Sequence, residues 1–298
     1  MDTLRSRVQT SQNVWFEKIV QTTFIVTIYQ DNLLNPDILK EITNKDYQKI
    51  AKNIEEFLAD VIKKNKSDGV VFGLSGGIDS AVVAYLCSHI IKENTLAMIM
   101  PDTDITPRTE TEDALKIIEH TGINYKLLDI KPIISEYSQY LEPNKRAKGN
   151  LRARIRTNIL YYYANAKNYL VLGSSDKSEY LMGYFTKFGD GAADITPIIS
   201  LYKLQVREIA TFLEIPQNII SKKSSPYLWE GQTAEDEMGA LYEEIDSILY
   251  CIYEKNMTTS DASTTTGIDA TLAENIWQAC QKSNHKRIHT YRPMIDIS

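Results

Sequence analysis

The run Gly73, Leu74, Ser75, Gly76, Gly77, Ile78, Asp79, Ser80 holds adjacent glycines, a pair of hydroxyls and one acid. It lies between an apolar stretch (Val70, Val71, Phe72) and a helix-like one (Ala81, Val82, Val83, Tyr85, Leu86). Strand, glycine turn and helix together make an anion site. The glycines let backbone approach a ligand, and the new helix offers unpaired N–H groups and the positive end of its dipole. A plain glycine turn would explain the glycines but not Asp79. A carboxylate at the mouth of an anion site makes sense when a divalent cation lies between the two charges. The commoner phosphate loop, GxxxxGK[ST], is excluded because no lysine follows these glycines, so positive charge must come from elsewhere. A second run, Gly173 to Glu179 (GSSDKSE), has the same logic: a glycine at a strand end, Ser174, Ser175 and Ser178, and then Glu179 one turn into a helix. Asp79 and Glu179 could then share a metal. A third stretch, Gly183 to Asp194 (GYFTKFGDGAAD), has no amphipathic period. As a mere surface loop it would expose Tyr184, Phe185 and Phe188 to no purpose.

The elements that must position these runs are legible from periodicity. Ile50, Ile54, Phe57, Leu58, Val61 and Ile62 recur at helical spacing from Tyr47, ending at Asp68 and Gly69. Short apolar runs at Val70–Phe72, Leu96–Met100, Tyr125–Leu128 and Tyr169–Leu172 alternate with helical stretches such as Thr111–His120. That alternation predicts an α/β fold, a parallel, doubly wound, Rossmann-like sheet flanked by helices. Its ligand site should lie beyond the carboxyl ends of the strands, where strand order reverses. After Asp194 the pattern is helical, over Lys203–Leu213, Pro216–Ser221, Ala234–Tyr253 and Asp269–Ser283. Pro101–Arg108 and Lys222–Thr233 read equally as surface loops or as lids over a ligand. Residues 1–45 form an N-terminal extension without a clean period, and 46–298 form the main domain.

Composition narrows the class. With 298 residues, 43% hydrophobic and 24% charged, the chain can bury a full core. A formal charge of −6 disfavours a general nucleic-acid binder. The cysteines, Cys87, Cys251 and Cys280, are far apart and form no CxxC pair, so they read as small buried hydrophobes in a reducing compartment. No run reaches the roughly 18 apolar residues of a membrane span, and no secretory signal opens the chain, which makes the cytoplasm the expected location.

The string SGGIDS resembles the pyrophosphate loop of the N-type ATP pyrophosphatases, which split ATP to AMP and pyrophosphate to activate an acid. Further matching pieces are PDTDITPRTETEDA (101–114), GNLRARIR (149–156), GSSDKSE, GYFTKFGDGAAD, the Lys203 helix, EGQTAEDEMG (230–239) and NHKR (284–287). Together they narrow the resemblance to the ammonia-dependent NAD synthetases, from about Tyr47 to Arg287. It implies a sheet of the adenine nucleotide alpha hydrolase type. The implied reaction is ATP-dependent amidation of deamido-NAD by ammonia through an NAD-adenylate, with release of AMP and pyrophosphate. Carried over by motif, ATP is held by Gly73, Leu74, Ser75, Gly76, Gly77, Ile78, Asp79, Ser80, Ser174, Lys203 and Ser225. Magnesium (Mg2+) falls to Asp79 and Glu179, which with Lys203 form the catalytic set, and deamido-NAD to Arg154, Lys187, Asp194, His285 and Lys286. The family also implies a homodimer whose dinucleotide site borrows from both subunits.

The sequence departs from the family pattern at Ser174 and Ser175, where threonines are common, in GDGAAD, and in SSPY (224–227), where PTAD or a relative is common. The N-terminal extension is too short for a glutamine-hydrolysing domain, so free ammonia is the expected nitrogen source. Alternatives are another ATP pyrophosphatase that amidates or thiolates a different acceptor, such as a GMP synthetase or an RNA thiolase, and a non-catalytic nucleotide-binding homologue. The acidic balance and missing CxxC pairs count against RNA thiolation. A purine acceptor leaves GYFTKFGDGAAD and NHKR unexplained.

Overall fold

The computed structural model describes residues 34–288, 290 and 291. Its centre is a parallel sheet in the order β3-β2-β1-β4, built from β1 (Gly69–Gly73), β2 (Thr95–Ile99), β3 (Asn124–Leu127) and β4 (Tyr169–Leu172). The strands are short and apolar because both faces are covered, and the period of two sorts their side chains. Val70, Phe72, Ala97, Ile99 and Leu172 face one core, while Val71, Leu96, Met98 and Val171 face the other. On the first face lie α2 (Tyr47–Lys64), α3 (Ile78–Ile91), α4 (Arg108–Thr121) and α8 (Lys203–Phe212). On the second lie α5 (Lys131–Ser138) and α6 (Lys145–Lys167). Helix α3 is apolar on nearly every side and is buried almost throughout its first three turns, as a helix without a polar face must be.

From β1 the chain winds outward through β2 to β3, then α6 returns it to the opposite side of β1 to form β4. Strand order therefore reverses between β1 and β4. The two glycine-bearing turns, after Gly73 and after Leu172, leave neighbouring strands at that point, as the sequence predicts.

A third core is helical. It joins α11 (Tyr242–Tyr253), α12 (Thr259–Thr266) and α13 (Ala270–Lys282) to α1 (Pro36–Thr43), whose Ile38, Leu39 and Ile42 are buried with Tyr202 and Leu204. Within the N-terminal extension, then, the described residues 34–45 belong to the body of the protein; the apolar positions Val14 to Tyr29 lie outside the described residues. The continuous helix expected over Ala234–Tyr253 is two helices, α10 (Ala234–Met238) and α11. Gly239 takes φ +75° and ends the first, closing it with a left-handed cap. Between α6 and α8 lies α7 (Lys177–Met182), and α9 (Gln217–Ile220) and α14 (Asn284–Arg287) complete the α-helices among the described residues. Among the described residues no helix is long and apolar enough to cross a membrane.

Candidate active site

The turn after β1 is built for close approach. Gly76 has φ +85°, and a Cβ there would sit 2.3 Å from the carbonyl oxygen of Glu110 at the start of α4, so only glycine fits. The serines brace the turn. Ser75 N–H donates to Ser80 Oγ at 3.2 Å, Gly77 N–H donates to Ser75 Oγ at 3.2 Å, and the Ser80 hydroxyl donates to Gly77 O at 3.1 Å. Ser80 is thus an internal staple, buried beneath the turn, whereas Gly73, Leu74, Ser75, Gly77, Ile78 and Asp79 face the cavity. Helix α3 begins at Gly77 without a side-chain cap, which leaves its first N–H groups available to an anion.

The turn after β4 supplies the opposing wall. Asp176 caps α7 by accepting from Glu179 N–H at 2.8 Å, and this fixes Glu179 one turn in, facing the cavity. Behind both turns stands Lys203, the first residue of α8. Its Nζ lies 2.7 Å from Asp79 Oδ1, 2.9 Å from Asp176 Oδ2 and 3.0 Å from Glu179 Oε1, and its side chain is only 1% exposed. Lys203 N–H donates to Ser178 Oγ at 2.9 Å, the Ser178 hydroxyl donates to Asp246, and Asp246 Oδ2 accepts from Leu204 N–H at 2.9 Å. The Tyr242 hydroxyl donates to Glu179 Oε1 at 3.2 Å. The helical core, through α11, thereby orients the starts of α7 and α8.

Electrostatics in this cage are unbalanced: one ammonium faces three carboxylates. Burial pushes Glu179 up to about 8; Lys203 opposes that rise, and the charges on Asp176 and Asp79 add to it. Asp176 moves the same way, again through burial. Lys203 is raised well above its ordinary value because its carboxylate neighbours outweigh burial, so it stays charged. Asp246 is pushed by burial to about 7.

The cavity between these walls measures about 840 Å³, within the usual size of a small-molecule site. The segment Lys222–Thr233 closes one side of it. Arg152 of α6 ties this segment to Pro101–Arg108: its Nε lies 2.6 Å from Asp102 Oδ2, and its Nη1 donates to Leu228 O at 3.1 Å. Trp229 lies over Gly149, where a Cβ would come within 2.9 Å of the indole. Both segments expected as loops or lids thus contribute to the cavity wall, through Pro101, Thr106 and the run from Lys222 to Trp229.

Of the ATP residues named from sequence, Ser174 and Ser225 also line the cavity, with the Ser225 hydroxyl donating to Gln232 O at 2.6 Å. Lys203 does not line it; its ammonium is enclosed by the carboxylates. Lys286 does, with Nζ donating to Gly183 O at 2.6 Å and Phe185 O at 2.9 Å. Arg154, Lys187, Asp194 and His285 lie outside the cavity of the single chain. Arg154 donates to Lys187 O at 3.2 Å and Lys187 Nζ to His285 O at 2.7 Å, so they form one outward-facing chain of groups. Asp194 instead accepts from Val171 N–H at 2.8 Å and braces β4. Sequence reading passed over Lys222, Arg156 and Glu110, all on the cavity wall. Arg156 donates to Met100 O at 2.9 Å and is held down to about 10 by burial. Its place in GNLRARIR is visible in the sequence, but that Arg152 and Arg156 turn inward and Arg154 outward is not.

A doubly wound parallel sheet with a lysine-free glycine turn and two acids meeting at its switch point defines a nucleotide-binding α/β protein. The chain belongs to the NAD synthase family, whose model matches residues 50–290. It is 46% identical over 252 residues to the NH3-dependent NAD+ synthetase of Hyperthermus butylicus, covering 84% of this chain and 91% of that protein. The same enzyme from Staphylothermus marinus is 45% identical over 254 residues, covering 84% and 92%. Among solved structures, NMN synthetase from Francisella tularensis superposes with a TM-score of 0.75 at 36% identity, covering 84% of this chain and 100% of that one. NH3-dependent NAD synthetase from Campylobacter jejuni, in complex with nitrate, gives 0.71 at 33% identity, covering 85% and 100%.

Proposed function

We propose that the cavity activates the nicotinate carboxylate of deamido-NAD with ATP and delivers it to ammonia, so that the chain is a C–N bond-forming ligase of NAD biosynthesis. One observation carries this reading: Asp79 and Glu179, from separate turns at the switch point, both face the same cavity and both contact Lys203, at 2.7 and 3.0 Å. A carboxylate is a poor electrophile until it acquires a leaving group. Its oxygen attacks the α-phosphorus of ATP, pyrophosphate departs, and ammonia then displaces AMP from the mixed anhydride to give the amide. Charge builds on the departing pyrophosphate, which the uncapped N–H groups at the start of α3 would stabilise.

The cage fits magnesium on its donor chemistry: hard carboxylate oxygens with more negative charge than Lys203 balances. Among the described residues no group of three or more His, Cys, Asp or Glu is gathered as a ready metal pocket. This suits an ion that takes one or two carboxylates and completes its shell from phosphate and water. Asp79 and Glu179 would hold it; bound, it neutralises charge on the transferring phosphates. Lys203 and Asp176 keep those two side chains in place from behind.

Lys286, which lines the cavity, would meet deamido-NAD there. Arg154, Lys187 and His285, turned outward, fit a homodimer in which a neighbouring copy completes the dinucleotide site. The cytoplasm is the compartment this reading assigns, with residues 46–298 as the catalytic unit and free ammonia as the nitrogen source.

The test is a coupled assay with ATP, magnesium, ammonium and deamido-NAD that follows pyrophosphate release and NAD formation. Glutamine serves as rival donor and XMP as rival acceptor. The mononucleotide acid is included because of the likeness to an NMN synthetase. NAD formed with ammonium and deamido-NAD supports the reading; pyrophosphate released only with XMP, or none with any acceptor, removes it.

A further inference from the structure

The glycine turn needs positive charge that its own sequence does not provide, and in this structure the Lys203 ammonium is turned to the carboxylates of the inner cage. Its ammonium donates to Asp79 and Glu179 and lies 2.9 Å from Asp176, in a side chain 1% exposed that does not line the cavity. Lys222 is different. It opens the segment that closes the cavity, its side chain is 20% exposed, and its Nζ donates to the carbonyl oxygen of Gly76, inside the turn, at 3.2 Å. The same ammonium lies 3.1 Å from Glu110 Oε2 and 2.6 Å from Asp113 Oδ2, both on α4.

What makes this clasp releasable is that each acid has a second donor. Glu110 Oε1 accepts from the Tyr227 hydroxyl at 3.2 Å; Asp113 Oδ1 accepts from Lys116 Nζ at 2.9 Å and from Asn218 Nδ2 at 3.2 Å. When one partner of a buried ion pair leaves, the penalty comes from the uncompensated charge left behind. When Lys222 leaves, Asp113 keeps the charge of Lys116, and Glu110 keeps the Tyr227 hydroxyl. The turn it already touches is where a polyphosphate would sit, next to the uncapped start of α3.

We propose that Lys222 is the cation of the glycine turn: in the unliganded chain it rests on Glu110 and Asp113, and it transfers to the β- and γ-phosphates of the nucleotide, and then to the pyrophosphate product. This rests on the nucleotide reading of the cavity and adds to it a phosphate ligand borne on the closing segment. It makes two demands that a purely structural clasp does not. Lys222 should discriminate pyrophosphate from AMP, because AMP lacks the phosphates it reaches. Weakening its resting partners should also free it for the ligand, since apparent affinity scales with the fraction of molecules in the competent state.

The experiment measures binding of inorganic pyrophosphate and of AMP, each with magnesium, by calorimetry on the full chain, with the thermal midpoint recorded for every variant. Lys222→Ala should weaken pyrophosphate by on the order of tenfold to a hundredfold, as for loss of a charge-assisted hydrogen bond, and leave AMP within about twofold. Lys222→Arg should recover most of the loss. The double variant Glu110→Gln, Asp113→Asn should bind pyrophosphate about threefold or more tightly than the wild type. Equal loss of AMP and pyrophosphate in Lys222→Ala, no loss of pyrophosphate, or weaker binding in the double variant overturns the assignment. A wild-type chain that binds neither ligand overturns the nucleotide reading and this inference together, whereas normal wild-type binding that is indifferent to Lys222 overturns this inference alone.

Discussion

Two lysines in this molecule are each surrounded by acids, and the two surroundings send Glu179 and Asp176, beside one, and Asp113, beside the other, in opposite directions. Around Lys203, burial dominates: Glu179 is pushed up to about 8 and Asp176 rises too, although both touch an ammonium. Around Lys222, the opposing charges dominate: Asp113 is lowered, because hydrogen bonds and charge from Lys222 and Lys116 outweigh its desolvation. The same residue types at the same distances therefore build two devices. The inner cage gathers more carboxyl groups than its one ammonium can match and suits an incoming cation, while the outer clasp is balanced and can exchange partners.

The most severe way to break the comparison is to remove the inner lysine. Lys203→Met leaves Asp176, which is fully buried, and the neighbouring carboxylates uncompensated. It should lower folding stability by roughly 3–5 kcal/mol, measured by urea denaturation. A loss below about 1 kcal/mol, the scale of a surface pair, would show the cage to be no more than an exposed ion pair. Next come the acids that face the cavity. Asp79→Asn and Glu179→Gln should keep the fold and lower turnover by at least about a hundredfold through lost charge stabilisation. Near-normal turnover in both variants would end the metal assignment.

The comparison also separates what the sequence carried from what it did not. The strands, the two glycine turns and the switch point are local patterns, and β1 and β4 with Gly73–Ser80 and Gly173–Glu179 fall where the sequence places them. Helix α6 escaped periodicity because its inward face includes Arg152, made tolerable by Asp102 from a distant loop. Helix α12 (TSDASTTT) is poor in strong helix formers and is held by its ends, with Thr258 accepting from Asp261 N–H and Gly267 closing it at φ +78°. The same limit applies to the site. That Lys203 meets Asp79 depends on contact across 124 residues, and that Lys222 meets Asp113 depends on contact across 109. No spacing rule reaches that far, so the charge of each lysine was legible and its partner was not.

A pH titration sharpens the contrast at intermediate scale. Glu179, with a value of about 8, and Asp246, with a value of about 7, both lie above their ordinary carboxylate values. Between the ordinary value and the raised one the folded chain holds protons that the unfolded chain has lost, so stability falls as pH rises through that window. Without magnesium, the urea midpoint should therefore fall from about pH 5 to about pH 8, and Asp246→Asn should flatten part of that slope. A midpoint that rises over this range would contradict the burial of these acids.

The smallest expected effect belongs to the clasp, and its sign is the reverse. Asp113 has a folded value below its ordinary one, so it contributes stability that is present above the ordinary carboxylate range and is lost as pH falls through the lowered value. Asp113→Asn should accordingly cost about 1 kcal/mol or less at neutral pH and nothing once the medium is acid enough to protonate the wild-type carboxylate in both states. The difference between the two midpoint curves should close toward low pH, whereas the corresponding difference for Asp246→Asn should open toward high pH with the opposite sign. If both differences run the same way, burial and charge do not divide the two lysine sites as their geometry indicates, and Lys222 is as fixed in its place as Lys203.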